Sequence, residues 1–259
     1  MNREKVRAII EIALYAGRIM LENGAETSRV EDTINRICNS QGLEIQNFTI
    51  PTGIFLSCQY KGDYYPYVIR TKSLAIDLEK IVNVNDFSRE FVNTDMSIDE
   101  AEKRLEIIRN TPHFHPIVMS FFGGIAGSFV TLSIGGRFIE ALFAFITSFF
   151  VVTLVNYLSK YSGPFIKNVA GGMINTIIAL LLVHIASNFD NNIELSNIVI
   201  GSIMPLVPGV AMANALRDSI AGDFVSGVSK LSEAILVAVA IAIGVGFILH
   251  TKILLTGSI

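Results

Sequence analysis

"IMPLVPGVAMANALRDSIAGD", Ile203 to Asp223, lies late in a chain that has become almost wholly apolar, yet it carries two prolines, two glycines, an asparagine and three charged residues. Its meaning depends on its surroundings. Beyond His115 the stretches free of Asp, Glu, Lys and Arg are Pro116–Gly136, Ala141–Ser159, Asn168–Phe189, Leu195–Leu216 and Ala234–Thr251, each at least 18 residues long. A helix rising about 1.5 Å per residue needs roughly 20 residues to cross about 30 Å of hydrocarbon. Five spanning helices are therefore expected, at about 116–136, 139–159, 168–188, 195–216 and 232–251. The quoted stretch interrupts the fourth.

An apolar content of 51% and a mean hydropathy of +0.52 exceed those of an ordinary soluble protein. The average conceals a division, because 31 of the 43 charged residues fall between Met1 and Pro112. A charged domain, 1–112, thus precedes a membrane domain, 113–259. The net charge of -3 and the absence of a basic tract interleaved with aromatics argue against nucleic acid as a partner. Cys38 and Cys58 form no CxxC and no Cys/His ligand set, so two reduced thiols and no metal site are expected. At the amino end Glu11 and Arg18 interrupt the apolar run that a cleaved secretory signal requires. Nothing cleaved is expected.

In the first domain Val6, Ile9, Ile10, Ala13, Gly17, Met20 and Leu21 recur at helical spacing, predicting an amphipathic helix that ends near Asn23-Gly24. Ser28-Arg-Val-Glu31 reads as a capping box opening a second helix, and Gly42 is placed to stop it. "NFTI", "GIFLSCQY" and "YYPYVIR" then predict about three strands, with Pro51-Thr52-Gly53 supplying a turn. A second capping box, Ser97 to Glu100, opens a helix to Asn110. The fold class is a multi-pass α-helical membrane protein of five transmembrane helices with an N-terminal cytosolic α+β domain.

Orientation follows from Lys and Arg near the span ends. With the charged domain inside, Lys103, Arg104, Arg109, Lys160, Lys167, Arg217 and Lys230 flank the inner side and only Arg137 and Lys252 the outer. The amino end is expected in the cytoplasm and the carboxyl end outside. The loop around Asp190, Asn191, Asn192 and Glu194, which has no basic residue, suits the outside. An odd number of spans cannot divide into two equal repeats, which, for a transporter of the repeat-built kind, points to a partner subunit or a homo-oligomer.

Small residues in "FFGGIAGS" (Phe121–Ser128) and "NVAGGMINT" (Asn168–Thr176) let helix backbones approach in lipid. Asn168 and Asn175 lie two turns apart and share a face with Gly171 and Gly172, expected to look into the bundle. Glu140 and Glu233 read as boundary charges within reach of water, and His184 as a proton carrier or an interfacial residue. At the break, Pro205 and Pro208 each remove a backbone donor and Gly209 lowers helix propensity. Irregular backbone at membrane depth is tolerated only inside protein or beside a wet cavity, and a half-helix beginning there points free amides at an anion. Asn214, Arg217 and Asp218, then Asp223, supply an amide, a cation and carboxylates for a small polar ligand or a proton. The competing reading is a kinked packed helix whose charges mark its cytoplasmic end.

At "LENGAETSRVEDTINRI" (Leu21–Ile37), "TIPTGIFLS" (Thr49–Ser57) and "PLVPGVAMANALRDSIAGDFVSG" (Pro205–Gly227) the sequence resembles the threonine/serine exporter family. In size and span number it resembles the larger subunit of the family's split form, which works with a second, shorter, membrane-only protein. The resemblance implies efflux of small polar metabolites, serine and threonine or small dicarboxylates, across the cytoplasmic (inner) membrane, driven by the proton gradient without a bound cofactor. The matching residues are Asn23, Gly24, Ala25, Glu26, Thr27, Arg29, Glu31 and Asp32, then Pro51, Thr52 and Gly53. In the membrane part they are Pro208, Gly209, Asn214, Arg217, Asp218, Gly222 and Asp223. The chain ends at Ile259 after the fifth span, without the second membrane half of the fused exporters, so transport is expected to need the partner. The alternative is a membrane-anchored enzyme or sensor. A hydrolase would need Ser57 or Cys58 activated by a base, with His113 and His115 the histidines at hand, and no enzyme is expected.

Overall fold

The computed structural model describes residues 3–71, 75–112, 114–187 and 192–256, so His113, Asp190 and Asn191 lie outside the described residues. The chain forms two compact units, Met1–His113 with Val210–Ser232, and Phe114–Gly209 with Glu233–Ile259. The hairpin that follows the broken stretch thus clusters with the amino-terminal residues.

In the first unit α1 (Arg3–Glu22) and α2 (Thr27–Ser40) pack over a three-stranded antiparallel sheet of β1 (Glu44–Ile50), β2 (Gly53–Tyr60) and β3 (Asp63–Arg70), ordered β1-β2-β3. Next come α3 (Leu78–Asn93) and α4 (Ile98–Asn110). α1 buries Ile9, Ile10, Ala13, Ile19, Met20 and Leu21 against Val30, Ile34 and Ile37 of α2 and Ile54 and Leu56 of β2. Each Ile, Leu, Val or Met side chain among these contributes roughly 1.5–3 kcal/mol on leaving water. Gly17 stands where these elements converge, and a Cβ there would lie 2.6 Å from the Ile34 Cδ1 methyl.

Register follows from two short turns, with Ile50 opposite Gly53 and Tyr60 opposite Asp63. Strand alternation then turns Ile54, Leu56 and Cys58 inward and leaves Phe48 and Phe55 exposed. Pro66 falls on the edge strand β3, where a missing amide is tolerated. Gly24 and Gly42 end α1 and α2 with positive φ of 86° and 70°.

The second helix begins differently from the sequence expectation. α2 opens at Thr27 after Glu26, and no side chain of the Ser28–Glu31 box caps it. The Glu31 carboxylate instead accepts the Thr49 amide at 2.6 Å, tying α2 to β1. Ser97 does cap α4, accepting the Glu100 amide at 3.2 Å.

The second unit contains α5 (Pro116–Ser133), α6 (Phe138–Leu158), α7 (Pro164–Ala186), α8 (Leu195–Ile203), a 3-10 turn (Met204–Leu206) and most of α10 (Phe224–Thr256). Helix α9 (Gly209–Ala221) starts after the turn. Among the described residues four helices are long and apolar enough to cross a membrane, α5, α6, α7 and α10, and the bent pair formed by Leu195–Leu206 and Gly209–Ala221 makes a fifth if counted as one span. With 33 residues α10 is about 50 Å long, more than a bilayer core needs.

Glycine sets how closely these helices approach. A Cβ on Gly172 of α7 would lie 2.6 Å from the Ile241 carbonyl oxygen of α10, and one on Gly244 would lie 2.8 Å from the Met173 nitrogen. Between α5 and α8, a Cβ on Gly201 would lie 3.0 Å from the Gly127 carbonyl. Such contacts replace the hydrophobic drive that lipid withholds.

Candidate functional site

The residues singled out in the sequence gather into two polar clusters, one in each unit. In the first unit the turn Asn23–Thr27 is held from outside by side chains of the α9–α10 hairpin. Asn214 Nδ2 donates to the Gly24 carbonyl at 2.7 Å, and Lys230 Nζ to the Ala25 carbonyl at 3.1 Å. The Thr27 amide donates to Asp218 Oδ1 at 3.1 Å. Three main-chain groups of one short turn are thus bound by residues some 190 to 205 positions away.

The local chemistry explains the arrangement. Helix α2 begins with free amides and a positive dipole end, and Asp218 supplies the anion that its own N-terminal residues do not. Asp218 is fully buried and pairs with Lys230 Nζ through its other oxygen at 2.7 Å, so the charge is neutralised where water is excluded. Asn214 and Asp218 lie four residues apart on α9, and Ser226 and Lys230 four apart on α10, which puts each pair on one buried face. Ser226 Oγ donates to the Thr49 carbonyl at 3.4 Å, and Thr27 Oγ1 to Asp223 Oδ2 at 3.4 Å. Arg217, between these residues, turns outward and pairs with Glu26 at 2.8 Å with its side chain 62% exposed.

The remaining first-domain motif residues have local tasks. Asn23 Nδ2 returns to the Ile19 carbonyl at 2.7 Å, and the Thr52 carbonyl accepts the Thr71 amide at 2.9 Å. Gly53 fits because a Cβ would stand 2.7 Å from the Ile69 carbonyl. Arg29 and Asp32 are exposed on α2. Burial pushes the Glu31 carboxyl above its ordinary value, the Thr49 amide opposes this, and Asp223, Asp32 and Asp218 add to the rise by repulsion.

In the second unit the face of α7 carrying Asn168, Gly171, Gly172 and Asn175 is buried, as its spacing predicts. Asn168 Nδ2 bonds its own helix at the Pro164 carbonyl, 2.8 Å away. Asn175, at the middle of α7, reaches α8: its Nδ2 donates to the Val199 carbonyl at 3.3 Å and its Oδ1 accepts from Ser202 Oγ at 2.8 Å. Ser148, at the middle of α6, donates to the Ser202 carbonyl at 2.9 Å. The backbone becomes irregular immediately after Ser202. Met204–Leu206 form the 3-10 turn, Val207 is extended at φ -64° and ψ 131°, and the Gly209 amide donates to the Val207 carbonyl at 2.8 Å. Leu206 of this turn faces Gly171, whose Cβ would lie 2.9 Å from its Cδ1.

Glu140 differs from its reading as a boundary charge within reach of water. It is 1% exposed. Its carboxylate accepts the Arg137 amide at 2.9 Å, the Glu194 amide at 2.8 Å and Asn197 Nδ2 at 2.9 Å, serving the starts of both α6 and α8. Those amides replace the water that the span-boundary argument assumed. Glu233 is exposed, as is His184. Ser148, Ser202 and Lys230 are site residues that the sequence does not single out, and Thr27 is marked there only by the family motif. For Lys230 the spacing to Ser226 across the small Gly227 was the available signal.

Cys38 and Cys58 are buried free thiols; burial pushes Cys38 up to about 12 and raises Cys58 as well, opposite to activation. His115 Nδ1 accepts the Ile117 amide at 3.4 Å and caps α5.

Residues 11–251 match the family model described as "Putative threonine/serine exporter". The chain is similar to the "Threonine/serine exporter" of Corynebacterium glutamicum, 25% identical over 254 residues that cover 95% of this chain and 51% of that protein. It is similar also to the "Probable threonine/serine exporter" of Mycobacterium tuberculosis, 21% identical over 247 residues, 92% of this chain and 45% of that protein. The "Probable succinate transporter subunit YjjP" of Escherichia coli is 22% identical over 248 residues, 95% of each chain. The chain spans about half the length of the first two relatives. No solved structure matches. The matched region takes in the Asn23–Thr27 turn, the interruption after Ser202 and the last apolar helix, and this multi-pass membrane protein belongs to the threonine/serine exporter family.

Proposed function

We propose that the chain is a subunit of a secondary active exporter of small polar metabolites, serine/threonine-type amino acids or small dicarboxylates. The observation that carries this reading is the interrupted backbone at Met204–Gly209, directly after the buried Asn175–Ser202 pair. Polar groups in mid-span are costly in lipid and are retained where a polar solute passes or where helices need polar adhesion. The names of the relatives, two exporters and one transporter subunit, support the first use. Asn168, Asn175, Pro205, Pro208 and Gly209 belong to the transport path in this reading. Asn214, Arg217, Asp218 and Asp223 act where the hairpin meets the Asn23–Thr27 turn.

In this reading the protein sits in the inner membrane with its first domain and amino end in the cytoplasm and its carboxyl end outside; the excess of Lys and Arg on the inner flanks supports that orientation. Uptake of protons drives efflux, and a second short multi-span subunit, or a further copy of this chain, completes the path. No catalytic role is assigned to the chain. The test is efflux of labelled serine, threonine and succinate from cells carrying the chain with and without a short partner of the same family. Efflux that requires both chains and falls at least tenfold in Asn175→Ala supports the reading. No efflux of any of the three solutes with the partner present would refute it.

A further inference from the structure

We propose that the contacts between the Asn23–Thr27 turn and the α9–α10 hairpin form a releasable latch, which alternates between a closed state and an open one. Three observations carry this. First, the hairpin is held by polar groups: Asn214 and Asp218 of α9 and Ser226 and Lys230 of α10 are buried, whereas the apolar Met212, Leu216, Ile220, Phe224 and Val225 are exposed. Attachment by an apolar face would gain from every buried methylene and open only at large cost, whereas ion pairs and hydrogen bonds exchange for water with little net change. Second, the hairpin is one stiff piece. Gly222 turns at φ 98°, the Asp223 amide returns to the Asp218 carbonyl at 2.8 Å, and a Cβ on Gly227 would lie 2.9 Å from the Ala215 carbonyl. Third, the anchor is small: the carbonyls of Gly24 and Ala25 and the Thr27 amide, with the Glu26–Arg217, Thr27–Asp223 and Ser226–Thr49 contacts beside them.

When this polar anchor lets go, α9 is freed from the start of α2. Asp218 is the bolt, because it alone binds both the start of α2 and Lys230. The latch rests on the exporter reading for its purpose, which is to hold α9, the helix that follows the break, in one of two positions during the cycle.

The experiment uses the full chain in lipid nanodiscs, with spin labels on cysteines placed at the exposed positions Arg29 of α2 and Ile220 of α9, read by pulsed electron paramagnetic resonance. The native background is expected to show two distance populations. Asp218→Asn, which leaves Lys230 without its counter-ion, should enlarge the longer one at least threefold, and the outward Arg217→Ala should enlarge it less. A single population that neither substitution changes overturns the latch. Because Arg217→Ala alters only an exposed pair, it decides the matter should Asp218→Asn fail to fold. Distances are read without any transport assay, so a chain that exports nothing would count against the exporter reading and leave the distance result standing.

Discussion

The two units join distant stretches of chain by opposite means. Around the Asn23–Thr27 turn the joint is electrostatic: a buried carboxylate, an ammonium and an amide bind main-chain groups about 200 residues away. In the second unit the joint is steric, made where Gly172 meets Gly244 and Gly127 meets Gly201, with hydroxyls and one asparagine as spot welds. The difference teaches two ways to specify a joint. Where charges are buried, each loses its partner only at a cost and so fixes which groups meet; between apolar helices the gain lies in backbone proximity, and side chains that hold helices apart are the liability.

That contrast can be broken by substitution. Asp218→Ala should have the largest effect, about 3–5 kcal/mol of lost stability, because Lys230 stays buried without a counter-ion. Adding Lys230→Met to it should recover part of the loss, and thermal unfolding of the purified protein gives both numbers. If the double variant is as damaged as the single, the joint is not electrostatic. Gly244→Val should follow at about 1–3 kcal/mol through overpacking against the Val169 carbonyl and Met173 nitrogen of α7, read as a lowered midpoint in detergent. Ser202→Ala should cost only about 0.6 kcal/mol, the average for hydrogen bonds between membrane helices, and no more than about 1.7. Arg217→Ala, which removes an exposed pair, should cost under about 1 kcal/mol and become neutral in high salt.

Glu31 sharpens the comparison through pH. Its carboxyl is raised in the folded protein, so its contribution to stability is full below the unfolded value near about 4 and is lost as pH rises through the folded value. Glu31→Gln keeps an acceptor for the Thr49 amide and cannot ionise. The variant should therefore gain on the native chain as pH climbs through that window and hold a small advantage at neutral pH, measured as the difference in unfolding midpoint. A difference that does not change with pH would remove the carboxylate cluster from the account.

Much of this was legible because it is periodic or local. The apolar runs predict α5, α6 and α7, the β-branched and aromatic runs predict β1 to β3, and the Ser97 box predicts the start of α4. What resisted reading depends on partners far off in the chain. Glu31 stands three residues after Ser28 and satisfies the pattern of a capping box, yet Thr49 binds its carboxylate and Asp218 takes the helix start. Lys230 counts as an inner flank in a charge tally, and only the fold reveals that it neutralises Asp218. The prolines foretell the interruption after Ser202, since they act on their own backbone. The pairing of Asn175 with Ser202 needs three-dimensional placement of two helices.

The sealed carboxylate of Glu140 has a consequence for how the protein is made. Two of its three donors, Glu194 and Asn197, are synthesised more than 50 residues after it. Until those residues exist, the Arg137 amide is the one of the three donors at hand. The full set of bonds that seals this carboxylate therefore waits on the stretch that opens α8.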